Sequence, residues 1–292
     1  MRWGWTREPD PSWPIGVFDS GLGGLTVWRA LRRQLPQERL VYFADTARLP
    51  YGDRSPEEIL TFVRQILRWM QAQPVKVVVM ACNTSSALAL EQVQQEFALP
   101  ILGLILPGAQ AALAQGSRIG VIATAATVKS RAYSKAIREY SALDPKRFPQ
   151  PVHCWEQACP AFVPLIEAGQ LNSLELQQAA KRYLQPLLRQ GIDTLVYGCT
   201  HYPLLDPLLK SLLPPSVKRV DPGVALVRSL ARELGLWGLR RPPTAPHDEP
   251  HRFYVSGDPE RFAQLATPWL GFRPQVEQVE LPALDVNNFR RT

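Results

Sequence analysis

The sequence predicts an α/β protein made of two pseudo-symmetric, doubly wound parallel-sheet domains, with the active site in the crevice between them. Three observations lead there. Short β-branched runs alternate with longer stretches of helical apolar period, the pattern of parallel strands covered on both faces by helices. The pattern then repeats: IGV opens a strand at Ile15 and again at Ile119, 104 residues on, and a cysteine ends a Val-rich run at Cys82 and again at Cys199, 117 residues on. An internal duplication accounts for both spacings. The length of 292 residues suits two domains of roughly 100–200 residues each.

Each element has a local reason. PIGVFDSGLGGLTVWRALRRQL reads as a buried strand, a Gly-rich turn and a helix with Leu25, Val27 and Leu31 on its apolar side and basic residues at its end. LVYFADT (40–46) is a second strand, followed by a loop that holds Pro50, Tyr51 and Gly52. Ser55 is placed to cap the next helix, with Pro56 at its first position and Glu57 and Glu58 in its first turn, where the helix dipole favours acids. VKVVVMAC is a continuous β-branched run, the mark of a strand buried on both faces, and NTSSALALEQVQQEF after it is a helix. In the second half, IGVIATAATVKSRAYSKAIREY repeats the opening strand, turn and helix, and GIDTLVYGCTHYPLLDPLLKSLL repeats the cysteine strand and its helix. WGLRRPPTAPHDEP is a Pro-rich loop, and FYVSGDPERFAQLATPWLG is a last strand, turn and short helix. The expected domains are therefore 1–106 plus 220–292, with the C-terminal segment returning to complete the first, and 107–219.

Composition narrows the classes. Hydrophobic residues at 46% and charged ones at 20% are ordinary for a globular chain and argue against wholesale disorder. The 28 prolines are about twice the usual ~5% and belong in loops and at helix starts. The net charge of +7 invites a nucleic-acid reading, but the arginines are scattered and no run of five or six like charges occurs, so solvated helix faces account for it. No membrane span is expected: residues 97–117 are uncharged, but Pro100, Pro107, Gln110 and Gln115 break a stretch that would need about 20 mostly apolar residues. The start, MRWGWTREPDPSWP, lacks the apolar core of a secretory signal, so a cytoplasmic location is expected. Four cysteines are too few for a disulfide scaffold of this size and read as reduced thiols.

Cys82 and Cys199 each end a buried strand just before a helix, where open α/β sheets bind ligands. A helix N-terminus lowers a thiol pKa, so a reactive thiolate is expected there. One such cysteine is ordinarily a small buried hydrophobe. Two at equivalent places in a repeat, flanked by Asn83 and Thr84 and by Thr200 and His201, point to chemistry instead. Cys154 and Cys159, with four residues between them and His153 nearby, lack the second close pair a zinc site needs, so they read as packing residues and no metal is expected. Asp19 and Ser20 open the DSGLGG turn, whose glycines let backbone amides approach an anion. Neither full nucleotide-loop pattern is present, so a substrate carboxylate is the better anion. Asp19 itself reads as a helix N-cap or, with at least equal weight at this strand end, as an acid–base group. His201, two residues beyond Cys199, reads as a proton partner or an orienter of that thiol.

FDSGLGGLTV, LPYGDRS, ACNTSSA, ACPAFVPLIE, GCTHYPLL and SGDPERF together resemble the glutamate racemases, a family of the cofactor-independent aspartate/glutamate racemase superfamily. The resemblance runs from Ile15 to about Leu270. It implies that Cys82 and Cys199 are the proton donor and acceptor, Cys82 acting on D-glutamate and Cys199 on L-glutamate. It puts substrate contacts on Asp19, Ser20, Tyr51, Gly52, Asn83, Thr84, Thr200 and His201, with Thr124 and Thr127 at a further carboxylate contact. Glu167 is implied as a support near the second cysteine. It also implies no pyridoxal phosphate or other cofactor, a homodimer, and a product, D-glutamate, used in peptidoglycan synthesis in a bacterial cytoplasm.

The chemistry of that expectation is simple: racemisation needs a base on one face of Cα and an acid on the other, and a duplicated fold supplies both if its two cysteine strands face one crevice. Aspartate racemase or a related isomerase or decarboxylase shares the cysteine motifs. A thiol redox protein, in which Cys82 and Cys199 pair, is the reading from another class, though no C-x-x-C occurs. Nucleic-acid binding rests on the charge alone.

Overall fold

The computed structural model describes residues 8–242 and 251–283; the start of the leader, the Pro-rich loop 243–250 and the last residues lie outside them. In chain order the first unit runs β1 (Ile15–Asp19), α1 (Leu25–Gln34), β2 (Leu40–Ala44), α2 (Pro56–Ala72), β3 (Val77–Met80), α3 (Asn83–Leu88), α4 (Leu90–Glu96) and β4 (Ile101–Gly103). The second runs α5 (Ile105–Leu113), β5 (Arg118–Ala123), α6 (Ala125–Ser130), α7 (Ala132–Leu143), β6 (His153–Ala158), α8 (Phe162–Glu167), α9 (Leu174–Arg189), β7 (Thr194–Gly198), α10 (Asp206–Leu212) and β8 (Lys218–Val220). The chain then returns to the first core with α11 (Pro222–Leu236), β9 (Arg252–Val255), α12 (Pro259–Leu270) and β10 (Val276–Gln278).

Two parallel sheets result, ordered β10-β9-β2-β1-β3-β4 and β6-β5-β7-β8. The shared part corresponds strand for strand: β2-β1-β3-β4 repeats as β6-β5-β7-β8, with the IGV strand second and the cysteine strand third. The first sheet is wider because β9 returns to pair with β2, Tyr42 opposite Phe253. Strand β10 was not legible in the sequence: Val276–Gln278 is short, mostly exposed and carries a charge, with no β-branched run to betray it.

The alternation of strand residues decides the core. Ile15 and Val17 of β1 pack on one side with α1 and α11, and Phe18 packs on the other with Ile59, Val63 and Ile66 of α2. Helix α11 buries Leu226, Val227, Leu230 and Leu234 on the first layer, each worth roughly 1.5–3 kcal/mol of apolar burial. The start of α2 is as expected: Ser55 Oγ accepts from Glu58 N at 3.2 Å, Glu58 Oε2 accepts from Ser55 N at 3.0 Å, and Pro56 follows. The single helix expected over NTSSALALEQVQQEF is instead two, α3 and α4, broken at Ala89 (φ −128°, ψ −21°). Ser86 holds α3 down on the sheet, donating to Met80 O and accepting from Leu104 N, both at 3.2 Å.

At the strand starts of the first sheet, away from the cysteines, the Lys76 ammonium is buried 2.5 Å from Glu38. It also donates to Pro11 O (2.7 Å) and Leu239 O (2.9 Å), tying the leader and the segment after α11 to the sheet. A buried charge persists only when paired and hydrogen-bonded in this way.

The opposite, carboxyl ends gather the chemistry: Asp19 and Ser20 end β1, Asp45 follows β2, Cys82 follows β3, Thr124 follows β5, Cys159 follows β6 and Cys199 follows β7.

Candidate active site

A cavity of about 340 Å³ lies between these strand ends, lined by Ser20, Tyr51, Gly52, Cys82, Asn83, Thr84, Thr124, Cys159, Glu167, Cys199, Thr200 and His201 with apolar neighbours such as Leu49, Val163 and Pro164. A more open hollow of about 570 Å³ on α9 is lined by Lys181, Arg182, Gln185, Arg189 and leucines, without a thiol, carboxylate or imidazole. Among the described residues, no group of three or more His, Cys, Asp and Glu could hold a metal ion, and no helix is long and apolar enough to cross a membrane.

The two cysteines enter the cavity from different sheets and meet different partners. Cys82 caps α3, its sulfur accepting from Ser85 N at 3.5 Å. The expected lowering of its thiol pKa is not what the fold produces. Burial first, and the charge of Asp19 second, push it up to about 12, and the single amide of a six-residue helix does not offset them. Asp19 lies beneath the cavity wall rather than in it, 1% exposed. Its Oδ2 accepts from Gly21 N (3.0 Å) and Gly24 N (2.8 Å), so it holds the turn before α1, whose N-cap position is Gly24 and not Asp19. Oδ1 is buried without a hydrogen-bond partner. Burial raises the Asp19 pKa, and the His201 charge and the Gly24 and Gly21 amides oppose the rise.

Cys199 Sγ lies 3.7 Å from His201 Nδ1, and His201 Nε2 lies 2.9 Å from Glu167 Oε1. Burial disfavours the imidazolium, but hydrogen bonds and charges from Cys199 and Glu167 outweigh it and lift the histidine to about 10. Both ring nitrogens then carry protons, one toward the sulfur and one toward the carboxylate. The ring is also edge-on to Trp269 of α12, at 5.8 Å between centroids.

Gly23 explains why the first turn is glycine-rich. A Cβ there would sit 2.4 Å from His201 Nδ1 and 2.5 Å from Thr200 Oγ1, so only glycine lets the Cys199 loop come this close. Thr26 Oγ1 fastens the approach by donating to Thr200 O at 2.8 Å. The sequence reading assigned these glycines to an anion; at Gly23 the group accommodated is the other half of the site.

The remaining wall is built of fixed polar groups. The hydroxyls of Thr84, Thr124 and Thr127 form a triangle with sides of 3.0–3.3 Å, joining the two units; Thr124 reaches the cavity and Thr127 stands behind it. Asn83 Oδ1 accepts from Tyr133 Oη at 2.6 Å. Tyr51 Oη donates to Asp45, which also takes Arg48 Nε (2.7 Å) and Ser256 Oγ (2.7 Å). Through Ser256 the SGDPERF segment therefore anchors the loop that brings Tyr51 and Gly52 to the cavity.

Every expected site residue except Asp19 and Thr127 lines this one cavity. Sequence reasoning missed Asp45, Tyr133 and Trp269, and read Cys159 as packing although it forms part of the wall while Cys154 does not. Asp45 carried a usable signal: LVYFAD ends in an acid after a buried run, as IGVFD does.

Over residues 15–230 the sequence matches the family described as Asp/Glu/Hydantoin racemase. A glutamate racemase of Microcystis aeruginosa is 59% identical over 269 residues, 92% of this chain and 91% of that protein. Among solved structures, a glutamate racemase of Bacillus anthracis superposes with a TM-score of 0.85 at 36% identity, covering 93% of this chain and 99% of that one. The glutamate racemase of Francisella tularensis in complex with D-glutamate superposes at 0.82 and 34% identity, covering 92% and 98%. With a family match over most of its length and a two-thiol cavity at the joint of a duplicated fold, this chain belongs to the Asp/Glu/Hydantoin racemase family, among the glutamate racemases.

Proposed function

We propose that this chain interconverts L- and D-glutamate by removing the Cα proton from one face and delivering a proton to the other. The observation that carries the reading is that one buried cysteine from each sheet, Cys82 and Cys199, stands in the wall of a single cavity. For L-glutamate, the Cys199 thiolate takes the proton and the Cys82 thiol supplies one to the opposite face; for D-glutamate the order reverses. The imidazolium of His201, kept charged by Glu167, gives the sulfur of Cys199 a counter-charge while it holds negative charge. Asp19 is the group whose charge Cys82 senses, and its unpartnered oxygen is the one able to exchange a proton.

A Cα–H is a weak acid, so the carbanionic intermediate needs preorganised donors and little water. Ser20, Asn83, Thr84, Thr124 and Thr200 supply hydroxyl and amide donors for the two carboxylates, and Tyr51 and Gly52 close one side. Glutamate, rather than aspartate, is supported by the relatives' names and by the Francisella relative with D-glutamate bound. We further place the product in peptidoglycan synthesis in a bacterial cytoplasm and the enzyme in a homodimer, as its family resemblance implies. Side-by-side polarimetric assays with L-glutamate and L-aspartate test the substrate: rotation lost with glutamate and kept with aspartate is expected. Loss with aspartate alone would overturn the assignment.

A further inference from the structure

We propose that Tyr133 is a positioning residue that sets the polarity of the Asn83 amide, so that the cavity wall offers an N–H donor, not a carbonyl, to the bound anion. The inference rests on the glutamate reading above and deepens it by assigning a specificity element outside the cavity.

A carboxamide has a donor end and an acceptor end of nearly the same size, and an asparagine beside a cavity can present either. At Asn83 the choice is made from behind. Tyr133 is wholly buried on α7, in the second unit, and its Oη donates to Asn83 Oδ1 at 2.6 Å. With that oxygen taken, the amide nitrogen is the end left for the cavity that Asn83 lines.

The phenol is suited to this task in two ways. It cannot swing aside: it packs among Ile105, Ala109, Val121 and Ile137, and at Gly108 even a Cβ would lie 3.2 Å from its ring. Nor does the bond titrate in an assay range, because burial, followed by the charges of Asp221 and Glu156, raises the phenol well above 10 and keeps it a donor. The bond also joins the two units, since Asn83 follows β3 and Tyr133 lies between β5 and β6. The amide is therefore correctly aimed only when the halves of the cavity are in register.

Tyr133→Phe keeps the ring and removes only the hydroxyl. The freed amide can turn its carbonyl toward a carboxylate, so KM for both enantiomers should rise about tenfold or more, with kcat little changed, the signature of lost uniform binding. In an Asn83→Ala background the same substitution should leave KM where Asn83→Ala alone puts it. A purely structural tyrosine would lower the melting temperature without that coupling.

A binding readout keeps the test separate from turnover and from any folding defect. The chain has four asparagines, Asn83, Asn172, Asn287 and Asn288, so ¹⁵N-asparagine labelling gives four side-chain amide pairs. In the wild-type protein, D-glutamate should shift one pair, and that pair should be the one missing in Asn83→Ala. The proposal is overturned if Tyr133→Phe has wild-type KM, if its KM rise persists in the Asn83→Ala background, or if saturating D-glutamate moves no pair. A wild-type enzyme that binds D-glutamate, shifting the Asn83 pair, yet does not racemise it, refutes the proposed function and leaves the amide assignment standing.

Discussion

The two cysteine strands of this protein share a scaffold and differ in what surrounds their sulfurs. Around Cys82 there is an acid, Asp19, one weak amide contact and, among the described residues, no cation, and the thiol is pushed up to about 12. Around Cys199 there is an imidazole lifted to about 10 and held by Glu167. The repeated fold thus puts a thiol at the carboxyl end of equivalent strands, and the neighbouring side chains make one end acidic and the other cationic. The two sides are accordingly asymmetric: burial and Asp19 keep the Cys82 thiol protonated, while the Cys199 sulfur faces an imidazole that holds its proton. Symmetry of the backbone delivers two faces, and asymmetry of the side chains assigns them opposite starting states.

The strongest way to break this comparison is to remove one sulfur at a time. Cys82→Ala and Cys199→Ala should each lower racemisation by about 10⁴-fold, near the top of the range for acid–base groups. If the faces are divided as proposed, Cys82→Ala should still exchange the Cα proton of L-glutamate with solvent and not that of D-glutamate, and Cys199→Ala should do the reverse. NMR in D₂O reads this directly; exchange of both enantiomers by either variant would abolish the distinction between the two sides.

The partners come next. His201→Gln and Asp19→Asn should each cost about 10²–10³-fold. Because the equilibrium constant of a racemisation is unity, kcat/KM must fall equally for both enantiomers, so the asymmetry has to be sought in the deuterium isotope effect. It should grow for Cα-deuterated L-glutamate in His201→Gln and for the D enantiomer in Asp19→Asn.

A smaller effect separates close approach from mere presence of glycine. Gly23→Ala forces His201 and Thr200 outward and should lower kcat/KM by about 10²-fold, since misplacement on the ångström scale is that costly. At Gly52 the added Cβ would be 3.4 Å from Thr124, ordinary contact, so Gly52→Ala should lower kcat/KM far less than Gly23→Ala does.

The mildest test concerns pH. His201 is raised from 6.5 to about 10 on folding, so the folded state gains from its proton: the contribution is complete below about pH 6.5 and is lost as pH rises through about 10. Glu167 is one of the groups that lift it, so in Glu167→Gln that loss should occur at lower pH. Urea midpoints measured from pH 6 to 10 for both proteins check the direction.

Much of this was legible beforehand, because parallel strands buried on both faces must be written in β-branched runs, and because two cysteines at equivalent repeat positions are hard to explain by packing. Asn83, Thr84, Thr200 and His201 stood out as polar neighbours of those cysteines, and their roles as contacts, like those of Tyr51 and Gly52, came from the family resemblance. What stayed hidden depends on distant parts of the chain meeting. Tyr133 in RAYSKAI is an ordinary apolar helical position until Asn83, 50 residues earlier, arrives against it. The Cys82 pKa was misjudged because a helix N-terminus is a local feature, whereas burial and the approach of Asp19 are sums over the fold. Cys159 looked like packing because nothing in its neighbourhood says that β6 ends at the same cavity as β3 and β7.

The central claim, two thiols on opposite faces of one carbon, is tested most directly by following L-glutamate in D₂O through the first few per cent of conversion. D-glutamate should form fully deuterated at Cα while the remaining L-glutamate keeps its proton. Deuterium entering the L pool as fast as D-glutamate appears, or product that carries the original proton, would contradict it.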